Sequence, residues 1–174
     1  ESFCKSNYPL LPVAVAEWEG CIFVNLSDDP EPFEEAFAPL IDKFTRWDLP
    51  KLRIAHRIVY DIAANWKLVF QNYSECYHCP ALHPALNRLT PFRNAWNDLE
   101  EGPFLGGPMQ MEIEDGSMTM TGQRCAAPLG RLEGEDLNRV QYYTIFPNLL
   151  LSLHPDYVLT HRIDRLATDR TRII

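Results

Sequence analysis

Residues 65–83 read NWKLVFQNYSECYHCPALH, and the fold of the chain turns on how this stretch is placed. At about 100° per residue, Trp66, Val69, Phe70, Tyr73 and Tyr77 fall in one apolar stripe. Asn72, Glu75 and His78, spaced i, i+3, i+6, fall roughly on the other side. The periodicity predicts an amphipathic helix with one face packed and the other bearing polar chemistry. Pro80 has no N–H for the helical ladder and disfavours helical geometry at Cys79. The helix is therefore predicted to end or kink between His78 and His83. On a straight helix, imidazoles at i, i+5 splay apart; across a break they can converge on one ion.

Outward from this stretch the periodicity changes. Residues 53–63 alternate strictly, with Ile54, His56, Ile58, Tyr60 and Ile62 on one face, which predicts a strand with His56 packed in the core or on the sheet face. Phe33, Phe37, Leu40, Ile41 and Phe44 recur at helical spacing, with Pro32 and two glutamates suited to a helix N-terminus. Segments 13–18 and 21–26 read as strands joined by Glu19-Gly20 in a two-residue hairpin, with a linker from Ser27 to Pro32. Downstream, 83–109 is rich in Pro, Gly and Asn and reads as mostly loop over a pocket mouth. Met109, Met111 and Ile113, then Asp115-Gly116, then Met118 and Met120 suggest a second hairpin whose methionines are sheet core. Segments 140–146, 149–153, 157–164 and 171 onward read as further short strands. The sum is an α+β class, an antiparallel sheet with segregated helices.

A chain of 174 residues supports one globular body. Its net charge of −8 offers no basic patch for nucleic acid or an anionic membrane surface, and favours a neutral or cationic small molecule. Cys4, Cys21, Cys76, Cys79 and Cys125 are odd in number and scattered, which reads as reduced thiols in a cytoplasmic protein. Within these residues no signal peptide and no apolar run long enough to span a bilayer is read. The chain has no Met at position 1 and stops inside a strand-like run, Arg172-Ile173-Ile174, so further residues are expected on both sides.

Two imidazoles and one carboxylate leave positions on a ferrous ion open for dioxygen and substrate, and His78 and His83 supply the imidazoles. Glu75, one turn before His78, is sited to join the network that takes the second ring N–H of a ligating histidine. Other readings of the same residues stay open. Asn72, Glu75 and His78 form an ordinary solvated helix face in one of them. In another, Cys76, His78, Cys79 and His83 offer zinc four ligands, against which stands the helix, on which the first three point in different directions. A third is a metal-free cavity for an apolar ligand. Trp96, Tyr142 and Tyr143 could cage a cation or simply pack, and His154 and His161 lie in or beside strands.

The ordered run Asn65-Trp66-Lys67, Asn72-Tyr73, Glu75-Cys76-Tyr77-His78-Cys79 and His83-Pro84 resembles the large (alpha) subunits of Rieske-type ring-hydroxylating oxygenases. Residues 17–26 resemble the strand pair leading out of that family's Rieske domain. Phe146-Pro147-Asn148-Leu149 and His154-Pro155-Asp156-Tyr157 resemble its later strands. The resemblance implies a helix-grip (START/SRPBCC-like) catalytic domain, a curved antiparallel sheet wrapped around a long helix. Residues 1–30 would be the strand pair and linker closing a Rieske domain, and 31–174 the N-terminal part of the catalytic domain.

It further implies His78 and His83 as ligands to a mononuclear Fe(2+), with the third ligand an aspartate beyond residue 174. Asp156, Asp164 and Asp169 lie in strand or turn segments and are poor candidates for it. Glu75 would bridge to the [2Fe-2S] Rieske cluster of a neighbouring subunit, and Asn72 would lie near the iron. The cluster motif needs Cys-x-His and a later Cys-x-x-His. Cys76-Tyr77-His78 fits the first half, but Cys125 is followed three residues on by Pro128, so the cluster is expected upstream. The implied activity is that of a terminal oxygenase. It would use dioxygen to hydroxylate an aromatic compound or oxidatively demethylate a quaternary or methylated amine, with electrons from NAD(P)H through a reductase or ferredoxin. A homotrimer is implied. The Cys-Tyr-His-Cys context resembles the amine branch more than the naphthalene branch.

Overall fold

The computed structural model describes residues 4–174, so the first three positions of the expected 1–30 segment lie outside it. Strands β1 (Ala14–Trp18) and β2 (Cys21–Asn25) pair antiparallel with Trp18 opposite Cys21. Glu19 and Gly20 both take positive φ, 49° and 78°, as a two-residue hairpin turn matched to the strand twist requires. Trp18 and Phe23 face inward onto Phe33, their ring centres 6.3 and 4.9 Å from it.

The helix expected through 33–44 is broken into α1 (Phe33–Ala36) and a 3-10 turn, Ala38–Leu40. Pro39 explains the break, since it has no N–H to bond the Glu35 carbonyl of a continuing helix. The apolar residues still reach the core. Phe37, Leu40, Phe44 and Trp47 are buried, Phe44 sits 4.9 Å from Tyr143 and 5.9 Å from Trp18 between ring centres, and Trp47 Nε1 donates to the His154 carbonyl at 3.0 Å.

The main sheet comprises β3 (Tyr60–Ile62), β4 (Phe104–Gln110), β5 (Arg139–Ile145), β6 (Leu149–Leu153), β7 (Val158–Ala167) and β8 (Arg170–Ile173). Its order is β3-β8-β7-β6-β5-β4, antiparallel throughout. Helix α2 (Trp66–Ser74) lies against β5 and β7. Phe70 stacks on Phe146 at 5.4 Å and is buried with Leu150 and Ile163. Asn65 starts the helix by accepting from the Lys67 N–H at 2.9 Å, and its amide donates to the Thr168 carbonyl at 2.6 Å. The cap thereby ties the helix to the β7–β8 turn. Two short helices follow, α3 (Cys79–Leu82) and α4 (Pro84–Leu89). The α+β arrangement, with a helix held against an antiparallel sheet, is the expected one, although α2 has only nine residues.

Two strand expectations are corrected. Of 53–63 only Tyr60–Ile62 joins a ladder, because β8 offers Thr171, Arg172 and Ile173 as partners and those three positions are filled. The alternating face upstream has no facing strand among the described residues, and Ile54 and His56 are exposed. The methionine hairpin also does not form. Met109 pairs across to Val140 in β5, and 113–123 folds on itself with a single bridge, Gly116 to Gln123. Met109 in β4 and Met111 just beyond its end are buried, while Met120 is fully exposed. Among the described residues no helix is long and apolar enough to cross a membrane.

One buried group sets an acid limit on stability. His154 is 2% exposed, stacked at 4.1 Å on Tyr157 and edge-on to Tyr142, and neither ring nitrogen has a hydrogen-bond partner among the described residues. Burial lowers its pKa to about 4, against a smaller opposing pull from Asp156. The folded value lies below the unfolded one, so protons bind the unfolded chain first. Stability is complete above about pH 6.5 and declines as pH falls toward 4, by about 3 kcal/mol in all. Denaturant melts of wild type and His154→Phe at pH 7 and pH 4 check this. The wild-type decline should shrink by most of that amount in the variant, and equal declines would contradict the assignment.

Candidate metal centre

The helix carrying the site stops earlier than Pro80 dictates. Helix α2 ends at Ser74, and Glu75 takes extended angles, φ −126° and ψ 150°. Two local bonds account for this. Glu75 Oε2 accepts from the Tyr77 N–H at 2.6 Å, so the acid caps the next turn instead of continuing the last one. That turn closes with the Cys79 N–H on the Cys76 carbonyl at 3.1 Å. Pro80 falls in the first turn of α3, where its missing N–H has no cost. The predicted break therefore lies before both histidines, and Tyr77, expected in the packed stripe, is 87% exposed.

The end of α2 is clamped to the sheet by two hydroxyl pairs, Tyr73 Oη with Ser152 Oγ and Ser74 Oγ with Thr144 Oγ1, both 2.8 Å. Beyond the clamp, His78 Nδ1 lies 2.5 Å from Glu75 Oε1. This contact holds the Glu75 carboxyl below the usual carboxylate range, assisted by the Tyr77 N–H. It also leaves His78 Nε2 as the ring atom available to a metal. His83, exposed at the junction of α3 and α4, presents its ring 5.3 Å from that of His78, with the planes at 79°.

Those values fit a shared ion. An imidazole nitrogen ligates a first-row metal at about 2.1 Å, placing the ring centre roughly 3.3 Å away, so two rings near a right or tetrahedral angle have centres about 5 Å apart. Among the described residues no group of three His, Cys, Asp or Glu side chains is arranged to hold a metal. The fit is thus to two ligands of a larger set. It does not extend to the four-ligand zinc alternative, even though the turn is unwound from a helix. Cys76 and Cys79 instead face each other, Sγ to Sγ, at 2.7 Å. Burial first, and then Cys79, push the Cys76 thiol up to about 12.

The two histidines, Glu75 and Asn72 line one cavity of about 630 Å³. Its far wall is β4 and the segment 95–98, which runs along β4 with Trp96 N–H on the Pro108 carbonyl at 3.2 Å and Asp98 N–H on Gly106 at 3.0 Å. A Cβ on Gly107 would stand 2.0 Å from the Trp96 carbonyl, so the close approach of this wall depends on a glycine there. Asp98 is fixed by Lys43 at 2.7 Å and by the Tyr143 hydroxyl, which donates to it.

The 83–109 stretch does line the cavity mouth, as the sequence suggests, but it includes α4. Of the three cage candidates, Trp96 and Tyr142 line the cavity, while Tyr143 is fully buried against Phe44. His161 lines a neighbouring space of about 370 Å³, shared at Asn72 and Tyr73, and His154 lies in neither. Sequence reading missed the hydroxyl clamp and the Asp98–Tyr143–Lys43 group. Single Ser, Thr and Asp positions carry no periodic signal, and their partners lie 45 to 79 residues away.

Residues 49–174 match the family model described as the ring hydroxylating alpha subunit (catalytic domain). The glycine betaine monooxygenase oxygenase subunit of Pseudomonas aeruginosa PAO1 is 28% identical over 169 residues, covering 80% of this chain and 39% of that protein. The carnitine monooxygenase oxygenase subunit of Acinetobacter baumannii is 34% identical over 86 residues, covering 48% of this chain and 23% of that one. A solved quaternary ammonium Rieske monooxygenase superposes with a TM-score of 0.75 at 19% identity, covering 99% of this chain and 44% of the other. The chain thus spans less than half the length of these relatives.

Proposed function

We propose, starting from the fact that this chain belongs to the ring hydroxylating alpha-subunit family, that it forms the iron-binding wall of a Rieske-type oxygenase acting on a cationic, methylated amine. The observation that carries the reading is the His78–His83 pair on the cavity wall, with His78 oriented by Glu75.

His78 and His83 would hold the ion, and Fe(2+), when bound, supplies dioxygen reduction at positions the protein leaves open. Glu75 holds His78 by its Nδ1 and fixes which nitrogen faces the cavity. Its carboxylate is 42% exposed, so a neighbouring subunit's cluster could approach it; it is our candidate for the electron bridge. Asn72 places an uncharged amide on the same wall. The far wall is apolar at Phe104, Pro108 and Met109 and would shield the reacting carbon from water.

Charge and aromatic surface support the substrate class. Among the described residues no Lys or Arg lines the cavity, whereas the carboxylates of Glu75, Asp98 and Glu100 do, Asp98 being already paired with Lys43 at 2.7 Å. Trp96 and Tyr142 add ring faces, each worth about 0.5–2 kcal/mol to a desolvated cation. One face of Trp96 is already taken by Arg139 at 5.1 Å. The relatives named for glycine betaine and carnitine act on compounds of this class, and both [2Fe-2S] cluster and reductase or ferredoxin would come from outside the residues seen here. A trimer would bring cluster and Glu75 together.

The test is oxidation by the full-length protein with its reductase. Attack at a carbon bonded to the cationic nitrogen ends in C–N cleavage and an aldehyde. Aldehyde formed in step with dioxygen consumed is expected from trimethylammonium substrates. Turnover of an aromatic carboxylate with none of the ammonium compounds would contradict the substrate class.

A further inference from the structure

Cys76 and Cys79 flank His78 without any part in holding it, and their arrangement is that of a pair. The sulfurs are 2.7 Å apart. The residues stand at i and i+3 of a turn closed by its own backbone hydrogen bond, which keeps their Cα atoms within about 7 Å, near the 4.4–6.8 Å range of disulfides. An S–S bond of about 2.05 Å needs the sulfurs to approach by only about 0.7 Å. Both line the 630 Å³ cavity, so a small molecule reaches them even though Cys79 is 4% exposed. None of the other three cysteines makes a contact with a second thiol among the described residues, although Cys4 and Cys125 are the more exposed.

We propose that Cys76 and Cys79 are a redox-active dithiol that a hydroperoxide converts to an intrachain disulfide within the cavity wall. In the first step one thiol gives up its proton as its sulfur attacks a peroxide oxygen. The S–O bond forms, the O–O bond breaks, the sulfur is oxidised by two electrons, and the departing hydroxide or alkoxide takes up the proton the thiol gave. In the second, the other thiol attacks the sulfenic sulfur; the S–S bond forms, the S–O bond breaks, and water leaves with the second thiol proton. With hydrogen peroxide the sum is two thiols and one peroxide to one disulfide and two waters. The same dithiol is a chelating site for a trivalent arsenical, which two adjacent thiols bind and one does not. The disulfide closes the four-residue turn 76–79 that the Cys79 N–H to Cys76 carbonyl bond already closes, so oxidation pins the turn without requiring it to refold. The inference rests on the thiols' placement alone and stands whether or not the iron reading holds.

The experiment treats anaerobically purified full-length protein with one equivalent of hydrogen peroxide, with a chelator present to remove loose iron, followed by peptide mass mapping. The expected result is a loss of about 2 Da in the peptide carrying 76–79, reversed by dithiothreitol, with no such loss of hydrogen in the peptide carrying Cys125, which has no second thiol beside it among the described residues. Phenylarsine oxide should be held by wild type, and by Cys76→Ser or Cys79→Ser at least about 10-fold more weakly. Oxygen added to either cysteine with no loss of hydrogen would overturn the proposal, as would equal arsenical capture by the variants.

Discussion

Replacing Glu75 by glutamine should lower substrate oxidation by about 100-fold, the upper end for groups that orient a metal-ligating histidine, while leaving the fold intact. The reason is a count of donors and acceptors. Glu75 receives the Tyr77 N–H on one oxygen at 2.6 Å and His78 Nδ1 on the other at 2.5 Å. Glutamine offers one acceptor oxygen and an NH₂, so one of these two donors would meet another donor. Either the 75–79 turn loosens or the His78 ring turns. Glu75→Asp keeps the charge but is one methylene short of serving both donors, and a loss of about 10-fold is expected. Product formation and bound iron should be measured together on each variant. Lost turnover with iron retained supports the electron-bridge role, and lost turnover with lost iron supports orientation alone. Wild-type turnover in Glu75→Gln would contradict both.

Trp47→Ala should be the most damaging core substitution. Trp47 is 1% exposed and lies among Phe44, Leu40 and the sheet residues Tyr143 and Leu151. Truncating a buried Trp costs about 3–5 kcal/mol, and here it also strips the His154 carbonyl of the indole N–H at 3.0 Å. Against a typical domain stability of about 5–15 kcal/mol, that is a large share. A melting midpoint lower by about 10 °C is expected, without any effect on metal stoichiometry in the surviving folded protein. A shift under about 2 °C would show that Trp47 is not the anchor described.

The parts of this molecule that sequence reading located were those with a period or an ordered motif. The hairpin at Glu19-Gly20 is visible because two residues with positive φ suit few sequences. The α2 stripe is visible because Trp66, Val69, Phe70 and Tyr73 repeat at helical spacing. Errors arose where a pattern needed a partner the pattern does not contain. The alternation at 53–59 looks like a strand, yet β8 leaves it nothing to pair with. Met109 reads as part of a local hairpin, but its partner across the ladder is Val140, 31 residues away. At the site, Pro80 marked the wrong boundary because a carboxylate bond to the Tyr77 N–H ends the helix first. That His78 and His83 come near each other follows from their spacing across a turn, and their metal role is our proposal, whereas the Ser74–Thr144 and Tyr73–Ser152 clamps at the end of α2 carry no sequence signal.

The measurement closest to the central claim is iron content. Full-length protein purified without air would be compared with a His78→Ala, His83→Ala double variant, counting Rieske iron separately by its own absorption. The rings stand 5.3 Å apart on one cavity wall, and removing both should cost about one iron per chain while the cluster iron stays. Equal iron in the two proteins would contradict the assignment and favour a cavity that binds its ligand without metal.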